Sequence, residues 1–156
     1  MNKILSWDQF FLGVAFICSK KSKDPNTKVG CCIIDTQKRI VATGYNGFPK
    51  NINDDELSWN NKGDWHKTKY PYVIHAETNA ILFAKQNLKN FILYTTLFPC
   101  SNCAKLIIQS EIKKIVFLSD KYDKTEDNIA AKILFDKAKI KYQQKNYQFS
   151  FNVFEN

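Results

Sequence analysis

His75-Ala-Glu77 and Pro99-Cys100-Ser-Asn-Cys103 are the two short segments that decide how this chain folds and what it binds. Together they offer one imidazole and two thiols, which are ligands that Zn²⁺ prefers. Three protein ligands leave a fourth position open for water, whereas a structural zinc site normally uses four protein ligands. Glu77 is not needed as a ligand and is available to move protons. We therefore predict one catalytic zinc ion per chain, bound by His75, Cys100 and Cys103.

Both segments are predicted to lie at the starts of helices. Apolar residues recur at helical spacing after His75, and Pro99 suits the first turn of a second helix. Cys100 and Cys103 would then share one helix face, where the positive end of the helix dipole favours thiolate. Residues two apart do not share a face, so His75 would reach the metal while Glu77 approaches the water and the substrate from the side.

Strand-like and helical patterns alternate along most of the chain. Hydrophobic spacing predicts a helix over 7–20, followed by two apolar runs that form a hairpin. After residue 75, strands alternate with helices, which indicates βαβ units and a partly parallel sheet. The predicted bounds of the hairpin strands and the later elements are 29–35, 39–44, 75–85, 91–96, 99–110, 114–119, 126–139 and 140–143.

Two segments have no clear assignment. The polar segment 50–69 contains Trp59 and Trp65, and a loop of this length usually has a function or is mobile. It holds no cysteine and only His66, so we predict no second zinc site there. The tail, 146–156, alternates aromatic and polar residues, and we expect either an extra strand or an oligomer contact.

The length and composition predict a single globular domain over 1–156. Its residues are 44% hydrophobic and 14% aromatic, which is enough for one core. No apolar run is long enough to span a bilayer, and the first residues lack the pattern of a signal peptide, so we expect a cytoplasmic protein with no membrane partner. The odd cysteine count argues against a disulfide framework, and Cys18, Cys31 and Cys32 are interpreted as core residues.

The formal net charge of +8 suggests an anionic partner. The lysines are dispersed, and no dense basic run or aromatic platform indicates a nucleic-acid surface. A phosphate-bearing small molecule would benefit from the same field. Because Arg39 is the only arginine, lysines and backbone N–H groups are the expected phosphate ligands.

Several further segments give the chain a resemblance to a known family. They are Ser22-Lys-Asp-Pro-Asn26, Gly44-Tyr-Asn-Gly47, Lys69-Tyr-Pro-Tyr-Val73, His75-Ala-Glu-Thr-Asn-Ala80, Phe98-Pro-Cys-Ser-Asn-Cys-Ala-Lys105 and Ser119-Asp-Lys-Tyr122. With them the chain resembles, over nearly its whole length, the deoxycytidylate (dCMP) deaminases of the cytidine/deoxycytidylate deaminase superfamily. The resemblance implies an α/β protein with a three-layer α/β/α fold, a five-stranded mixed sheet and a homohexameric assembly.

The same resemblance implies a reaction and its control. The expected reaction is zinc-dependent hydrolysis of dCMP to dUMP with release of ammonia, which supplies dUMP for thymidylate synthesis. Activation by dCTP and inhibition by dTTP are expected, with Mg²⁺ accompanying these nucleotide effectors. Two other classes stay open. A polynucleotide deaminase acting on tRNA or single-stranded DNA would suit the positive charge, and a non-enzymatic zinc-stabilised module would share the C-x-x-C pair.

The resemblance also implies roles for individual residues. Glu77 would be the proton shuttle, and Asn46 would hydrogen-bond the deoxyribose. The pyrimidine ring would meet the backbone of Ala76 and Ser101, and Tyr122 would pack near the nucleotide. Further expected contacts are Lys23 and Asn26, with Lys28, for a 5′-phosphate, and Gly44, Tyr45, Asn46 and Gly47 for an effector. A glycine-flanked asparagine such as Asn46 is expected to adopt a left-handed backbone and point its amide outward.

Overall fold

The computed structural model describes residues 4–155, which form one five-stranded sheet with helices on both faces. The predicted domain 1–156 is therefore described except for its first three residues and Asn156. The elements are α1 (Trp7–Ser19), β1 (Gly30–Ile34), β2 (Ile40–Tyr45), α2 (Ala76–Ala84), β3 (Ile92–Leu97), α3 (Ser101–Gln109), β4 (Lys114–Ser119), α4 (Glu126–Lys137) and β5 (Lys141–Gln144). A short 3₁₀ turn, Trp65–Lys67, interrupts the long loop between β2 and α2.

The sheet is mixed, with strand order β2-β1-β3-β4-β5. β1 pairs antiparallel with both β2 and β3, whereas β3, β4 and β5 are parallel. The parallel half follows from the alternation of strands and helices after residue 75, because helical crossovers connect parallel strands. The predicted three-layer α/β/α fold with a five-stranded mixed sheet is confirmed.

Two hydrophobic cores lie on the two faces of the sheet, and β1 contributes to both because successive strand residues face opposite sides. Cys31 and Ile33 pack on the side covered by α2, α3 and α4. Cys32 and Ile34 pack on the side covered by α1. All five residues of β1 are buried, as expected for a strand that is covered on both faces. The interpretation of Cys31 and Cys32 as core residues is confirmed.

The helix that follows β3 begins later than the spacing indicated. Cys100 is not in the first turn of α3 but is its N-cap, with an extended backbone, and Pro99 precedes the helix. The Sγ of Cys100 accepts a hydrogen bond from the Cys103 backbone N–H at 3.4 Å, which satisfies one of the free N–H groups at the helix start. The sulfur therefore serves as helix cap as well as candidate ligand.

The C-terminal tail forms no strand over 146–155, contrary to one of the two expectations for it. Instead, Tyr147 and Phe149 pack on the α1 side of the sheet. The Phe149 ring stacks on Phe16 with 5.7 Å between ring centroids, and Lys145 forms an ion pair with Asp8. The start of the tail thus helps α1 to cover this face. Within 4–155, no helix combines the length and hydropathy needed to cross a membrane.

Candidate active site

Three predicted metal ligands converge where α2 and α3 begin. His75 is the N-cap residue of α2, and Cys100 holds the same position in α3. The Nδ1 atom of His75 lies 3.3 Å from the Sγ of Cys100 and 3.4 Å from that of Cys103. All three candidate ligand atoms lie within 4.8 Å of one another. Among residues 4–155, this is the group of histidine, cysteine and acidic side chains that is arranged to bind one metal ion.

The spacing of these atoms fits zinc. Tetrahedral geometry with Zn–S of about 2.3 Å and Zn–N of about 2.0 Å places a nitrogen and a sulfur ligand roughly 3.5 Å apart. The observed separations of 3.3 and 3.4 Å are close to that value. One imidazole and two thiolates are also a donor set that zinc favours, and three protein ligands leave a position open.

The three ligand side chains shift one another's pKa values. The hydrogen bond with Cys103, followed by the contact with His75, lowers the pKa of Cys100 to about 4 despite its partial burial. The hydrogen bond to Cys100 raises the pKa of His75 to about 9, against the effect of burial. The pKa of Cys103 is raised well above its usual value, first by its hydrogen bond to Cys100. Cys100 thus already has the thiolate character that a metal ligand requires.

Glu77 is a buried carboxyl group beside this triad. Its side chain is only 3% exposed, although it lies in the first turn of α2, near the helix N-terminus. Oε1 accepts a hydrogen bond from the Thr95 hydroxyl at 3.2 Å, and Oε2 lies 3.6 Å from the Sγ of Cys103. Burial raises the pKa of Glu77, and the nearby His75 opposes that shift. A raised pKa makes it easier for a carboxyl group to take up a proton and hold it until it is passed on.

A cavity of about 360 Å³ opens onto His75, Glu77 and Cys100. Its volume suits a small molecule. Four of the residues predicted to bind substrate line it, namely Asn26, Asn46, Ala76 and Tyr122. The structure thus brings the metal triad, the buried carboxyl group and most of the expected substrate contacts together around one cavity.

Lys23 and Ser101 do not line the cavity. Lys23 forms an ion pair with the partly exposed Asp54. The backbone N–H and hydroxyl of Ser101 both donate to the carboxylate of Asp127, which does line the cavity. Both donors of Ser101 are thus already used by Asp127. A ligand would reach Ser101 only next to the Asp127 carboxylate or after displacing it.

Asn46 differs from its expected conformation. It is not among the residues with positive φ, and its side chain is turned inward and is 5% exposed. Its Oδ1 accepts from the Val29 backbone N–H at 2.8 Å, and its Nδ2 donates to the Thr27 carbonyl at 2.9 Å and to Asp24 at 3.3 Å. The expectation of a left-handed, outward-pointing Asn46 was wrong because this amide joins two chain segments that both need hydrogen-bond partners.

The four residues expected in an effector site do not share one environment. A Cβ on Gly44 would lie 2.2 Å from the Ala76 carbonyl oxygen, so the glycine is required for α2 to pack on β2. The Tyr45 side chain is largely exposed, and Gly47 forms an isolated bridge with Ile74. Within the group only Asn46 lines the cavity. The effector role stays a prediction.

Sequence reasoning assigned no role to an ion pair at the cavity. The side chains of Asp24 and Lys69 form a salt bridge, and only 2% and 9% of their side-chain surfaces are exposed. Asp24 also accepts from the backbone N–H groups of Asn26 and Thr27. Both residues lie in segments that carry the family resemblance, and this was the only indication of a role. The pairing itself could not be predicted, because 45 positions separate the two residues.

A second group to which sequence patterns gave no role is Lys121, which adjoins the cavity-lining residues Thr27 and Tyr122. Lys121 donates to the Thr27 hydroxyl at 3.3 Å, and its ammonium group is 4.8 Å from the centre of the Tyr122 ring. Partial burial alone would raise the pKa of Tyr122, but hydrogen bonds with Thr27 and Lys121 outweigh it and hold the pKa below its usual value. Lys69 adds to this positive field. This end of the cavity is therefore suited to an anionic group.

A three-layer α/β/α fold with one histidine, two cysteines and a buried glutamate at the starts of two helices defines the class of zinc-dependent hydrolytic deaminases. Residues 5–119 match the family model described as the cytidine and deoxycytidylate deaminase zinc-binding region. The chain belongs to this family.

Individual relatives agree with that assignment. The deoxycytidylate deaminase of Homo sapiens is 46% identical, over 90% of this chain and 80% of the relative. A probable deoxycytidylate deaminase of Drosophila melanogaster is 45% identical, over 98% of this chain and 81% of the relative. A dCMP deaminase of the cyanophage S-TIM5, crystallised with dCMP and dUMP, has the same fold with a TM-score of 0.69 and 21% identity, over 87% of this chain and 94% of that one.

Proposed function

We propose that this enzyme converts dCMP to dUMP with release of ammonia, and so supplies dUMP for thymidylate synthesis. The observation that carries the proposal is the convergence of the metal triad, the buried Glu77 and a positively charged cavity end around one space of about 360 Å³. Deoxycytidylate deaminases that are about 45% identical over most of the chain support the choice of substrate.

The proposed chemistry is divided between a metal ion and a carboxyl group. His75, Cys100 and Cys103 would hold one zinc ion, which when bound supplies a Lewis-acidic position that lowers the pKa of water to about 7. Glu77 takes one proton from the attacking water and donates it to the ring nitrogen. It then takes the second proton of that water from the new hydroxyl group on the ring carbon and passes it to the amine, which departs as ammonia. Burial suits Glu77 to this task because its raised pKa lets the carboxyl group hold the proton between steps.

The opposite end of the cavity is proposed to bind the 5′-phosphate. Lys121, the Thr27 hydroxyl and the Tyr122 hydroxyl offer donors there, whereas the charge of Lys69 is paired with Asp24. Asn26 remains a candidate contact because it lines the same region. Lys23 is a weaker candidate because its ammonium group is paired with Asp54. Ala76 and Ser101 are proposed to meet the base through their backbone, and Asn46 to meet the sugar.

A homohexamer that is activated by dCTP and inhibited by dTTP, with Mg²⁺ accompanying the effectors, is part of the same proposal. Exposed apolar side chains on α2 and α4 support self-association, since large exposed apolar groups mark contact surfaces. They are Leu82, Phe83, Ile129 and Ile133. Light scattering coupled to size exclusion, with and without each nucleotide, measures the assembly directly.

A substrate panel tests the proposal. Purified zinc-loaded protein is incubated with deoxycytidine, dCMP, dCTP and CMP, each alone and with dCTP or dTTP as effector, and product formation is followed by absorbance. We expect dCMP to be the preferred substrate. A failure to form dUMP with zinc and dCTP both present refutes the proposal, and deamination of a labelled oligonucleotide instead would favour a polynucleotide substrate.

A further inference from the structure

Thr95 is a fully buried threonine on β3 whose hydroxyl group contacts Glu77. Its Oγ1 lies 3.2 Å from the Oε1 of Glu77 and 3.1 Å from the Leu97 carbonyl oxygen. A hydroxyl has one proton to donate, and a carboxylate is a stronger acceptor than a neutral carbonyl group. The hydroxyl of Thr95 therefore holds the Oε1 atom of an ionised Glu77.

The two oxygens of Glu77 have different surroundings. Oε1 faces Thr95 on the sheet, whereas Oε2 lies 3.6 Å from the Sγ of Cys103, on the side of the metal triad. Within residues 4–155 no ion pair reaches Glu77. The charge of His75 and a backbone N–H also act on the carboxylate, but Thr95 is the side chain that donates to Oε1 from the sheet.

The position of Thr95 in the sheet makes its hydroxyl a rigid donor. β3 lies between β1 and β4, and Thr95 pairs with Cys31 on one side and Phe117 on the other. Its backbone is thereby held from both sides. A β-branched side chain also has restricted χ1 rotation, so the direction of the hydroxyl is limited by the strand itself.

We propose that Thr95 is the positioning residue of the proton shuttle. Its hydroxyl fixes Oε1 of Glu77 so that Oε2 stays on the side of the triad, where the attacking water and the substrate must meet. This inference rests on the proposed function, because it assigns Thr95 a role in deamination through Glu77. Thr95 itself neither lines the cavity nor belongs to the three candidate metal ligands.

The test compares Thr95→Val, which keeps the shape and removes the hydroxyl group, with Thr95→Ser, which keeps the hydroxyl group. A hydrogen bond to a charged group is worth about tenfold to hundredfold in rate when lost. We expect Thr95→Val to lower kcat for dCMP by that factor while KM changes less than about twofold, because the cavity lining is unchanged. Thr95→Ser is expected to restore most of kcat.

Two controls separate positioning from a general structural effect. Thr96→Val removes a neighbouring hydroxyl group that accepts from the Gly30 backbone N–H and does not touch Glu77, so its kcat should match the unmodified protein. Zinc content per chain and the thermal unfolding midpoint should be the same in Thr95→Val and Thr96→Val. If Thr95→Val does not fold, Thr95→Ala provides the same loss of the hydroxyl group.

A double variant tests whether Thr95 acts through Glu77. In the Glu77→Gln background, Thr95→Val should lower the residual rate by less than about twofold, because residues that act as a unit are not additive. An additive loss of rate in the double variant overturns the inference. So does a Thr95→Val variant with unchanged kcat, or a Thr95→Ser variant whose kcat is no higher than that of Thr95→Val. Unmodified protein without deaminase activity overturns the proposed function as well, which distinguishes the two failures.

Discussion

The two ends of the cavity use their polar groups in different ways. At the metal end, His75, Cys100 and Glu77 present ligand and proton-transfer atoms to the cavity. His75 and Cys100 contact each other, and Glu77 contacts Thr95 and Cys103. At the opposite end, Asp24 and Asn46 also line the cavity, but their side chains are occupied by hydrogen bonds that join chain segments. The residues of the metal end are thus arranged for catalysis, whereas Asp24 and Asn46 form a scaffold that holds chain segments together.

This difference implies that similar substitutions will have dissimilar effects at the two ends. A change at the metal end should reduce turnover while the fold persists, because few structural bonds are lost. A change in the scaffold should reduce stability first, because an unpaired buried charge is costly. Lys121 and Thr27 lie at the rim of the cavity. Substitutions there should affect substrate binding.

Glu77→Gln is expected to have the largest effect on turnover. Loss of general acid–base catalysis should lower kcat by about 10²-fold to 10⁴-fold, and the isosteric amide should leave zinc content and unfolding midpoint unchanged. Steady-state kinetics with metal analysis measures both quantities. The matched control, Cys103→Ser, should lose bound zinc as well as activity. Glu77→Gln protein with full activity would contradict the assignment of the proton shuttle.

Lys69→Met is expected to destabilise the fold strongly. Removing the buried ammonium group leaves Asp24 without its charge partner, which should lower the free energy of unfolding by about 3 kcal/mol. Urea denaturation measures the change. In the control Lys67→Met, the exposed pair with Asp64 is lost, and the change should stay below about 1 kcal/mol. Equal changes in the two variants would show that the buried pair is not a scaffold.

The metal end could be predicted from sequence, whereas the scaffold end could not. His75, Cys100 and Cys103 follow from short spacings at helix starts, and strand bounds such as those of β4 follow from apolar runs with turn signals at their ends. The ion pair of Asp24 with Lys69 joins two loops that no periodicity relates. The same holds for Asn46, whose inward orientation is decided by unpaired backbone groups in a distant segment.

The tail and the phosphate ligands show the same limit. An alternating pattern such as that of 146–156 predicts a strand, but a strand forms only where a sheet edge is free in the right place. The tail packs against α1 instead. We predicted Lys23 as a phosphate ligand because it lies near the start of β1. In the structure its ammonium group forms an ion pair with Asp54, in the loop between β2 and α2. Proximity in sequence did not reveal Lys121, which reaches Thr27 across 94 positions.

Lys121→Ala should have a moderate effect that is confined to phosphorylated substrates. Because Lys121 lies at the exposed rim, its loss should raise KM for dCMP by about fivefold, an effect of about 1 kcal/mol, and leave kcat nearly unchanged. Deoxycytidine, which lacks the phosphate, should be turned over equally by variant and unmodified protein. Lys23→Ala is the comparison that decides between the two lysines. If Lys23→Ala raises KM and Lys121→Ala does not, the phosphate site lies nearer to residue 23.

Asp8→Asn tests the far side of the sheet, where the smallest effect is expected. Burial alone would raise the pKa of Asp8, but hydrogen bonds from Lys145 and Tyr94 outweigh it and lower the pKa below 3.8. A carboxyl group with a lowered pKa stabilises the fold above its unfolded pKa, and the stabilisation is lost as pH falls through the folded value. Unmodified protein should thus be more stable than Asp8→Asn by about 1 kcal/mol near neutral pH.

This advantage should shrink as the pH falls below about 4, because the protonated carboxyl group no longer attracts Lys145. Urea denaturation of both proteins at a series of pH values measures the difference. Turnover of dCMP near neutral pH should be the same in both, since Asp8 lies on the α1 side and the cavity opens among α2, α3 and the loops. A stability difference that is independent of pH would show that Asp8 acts through packing, and a loss of turnover would show that the tail side of the sheet is coupled to the metal end.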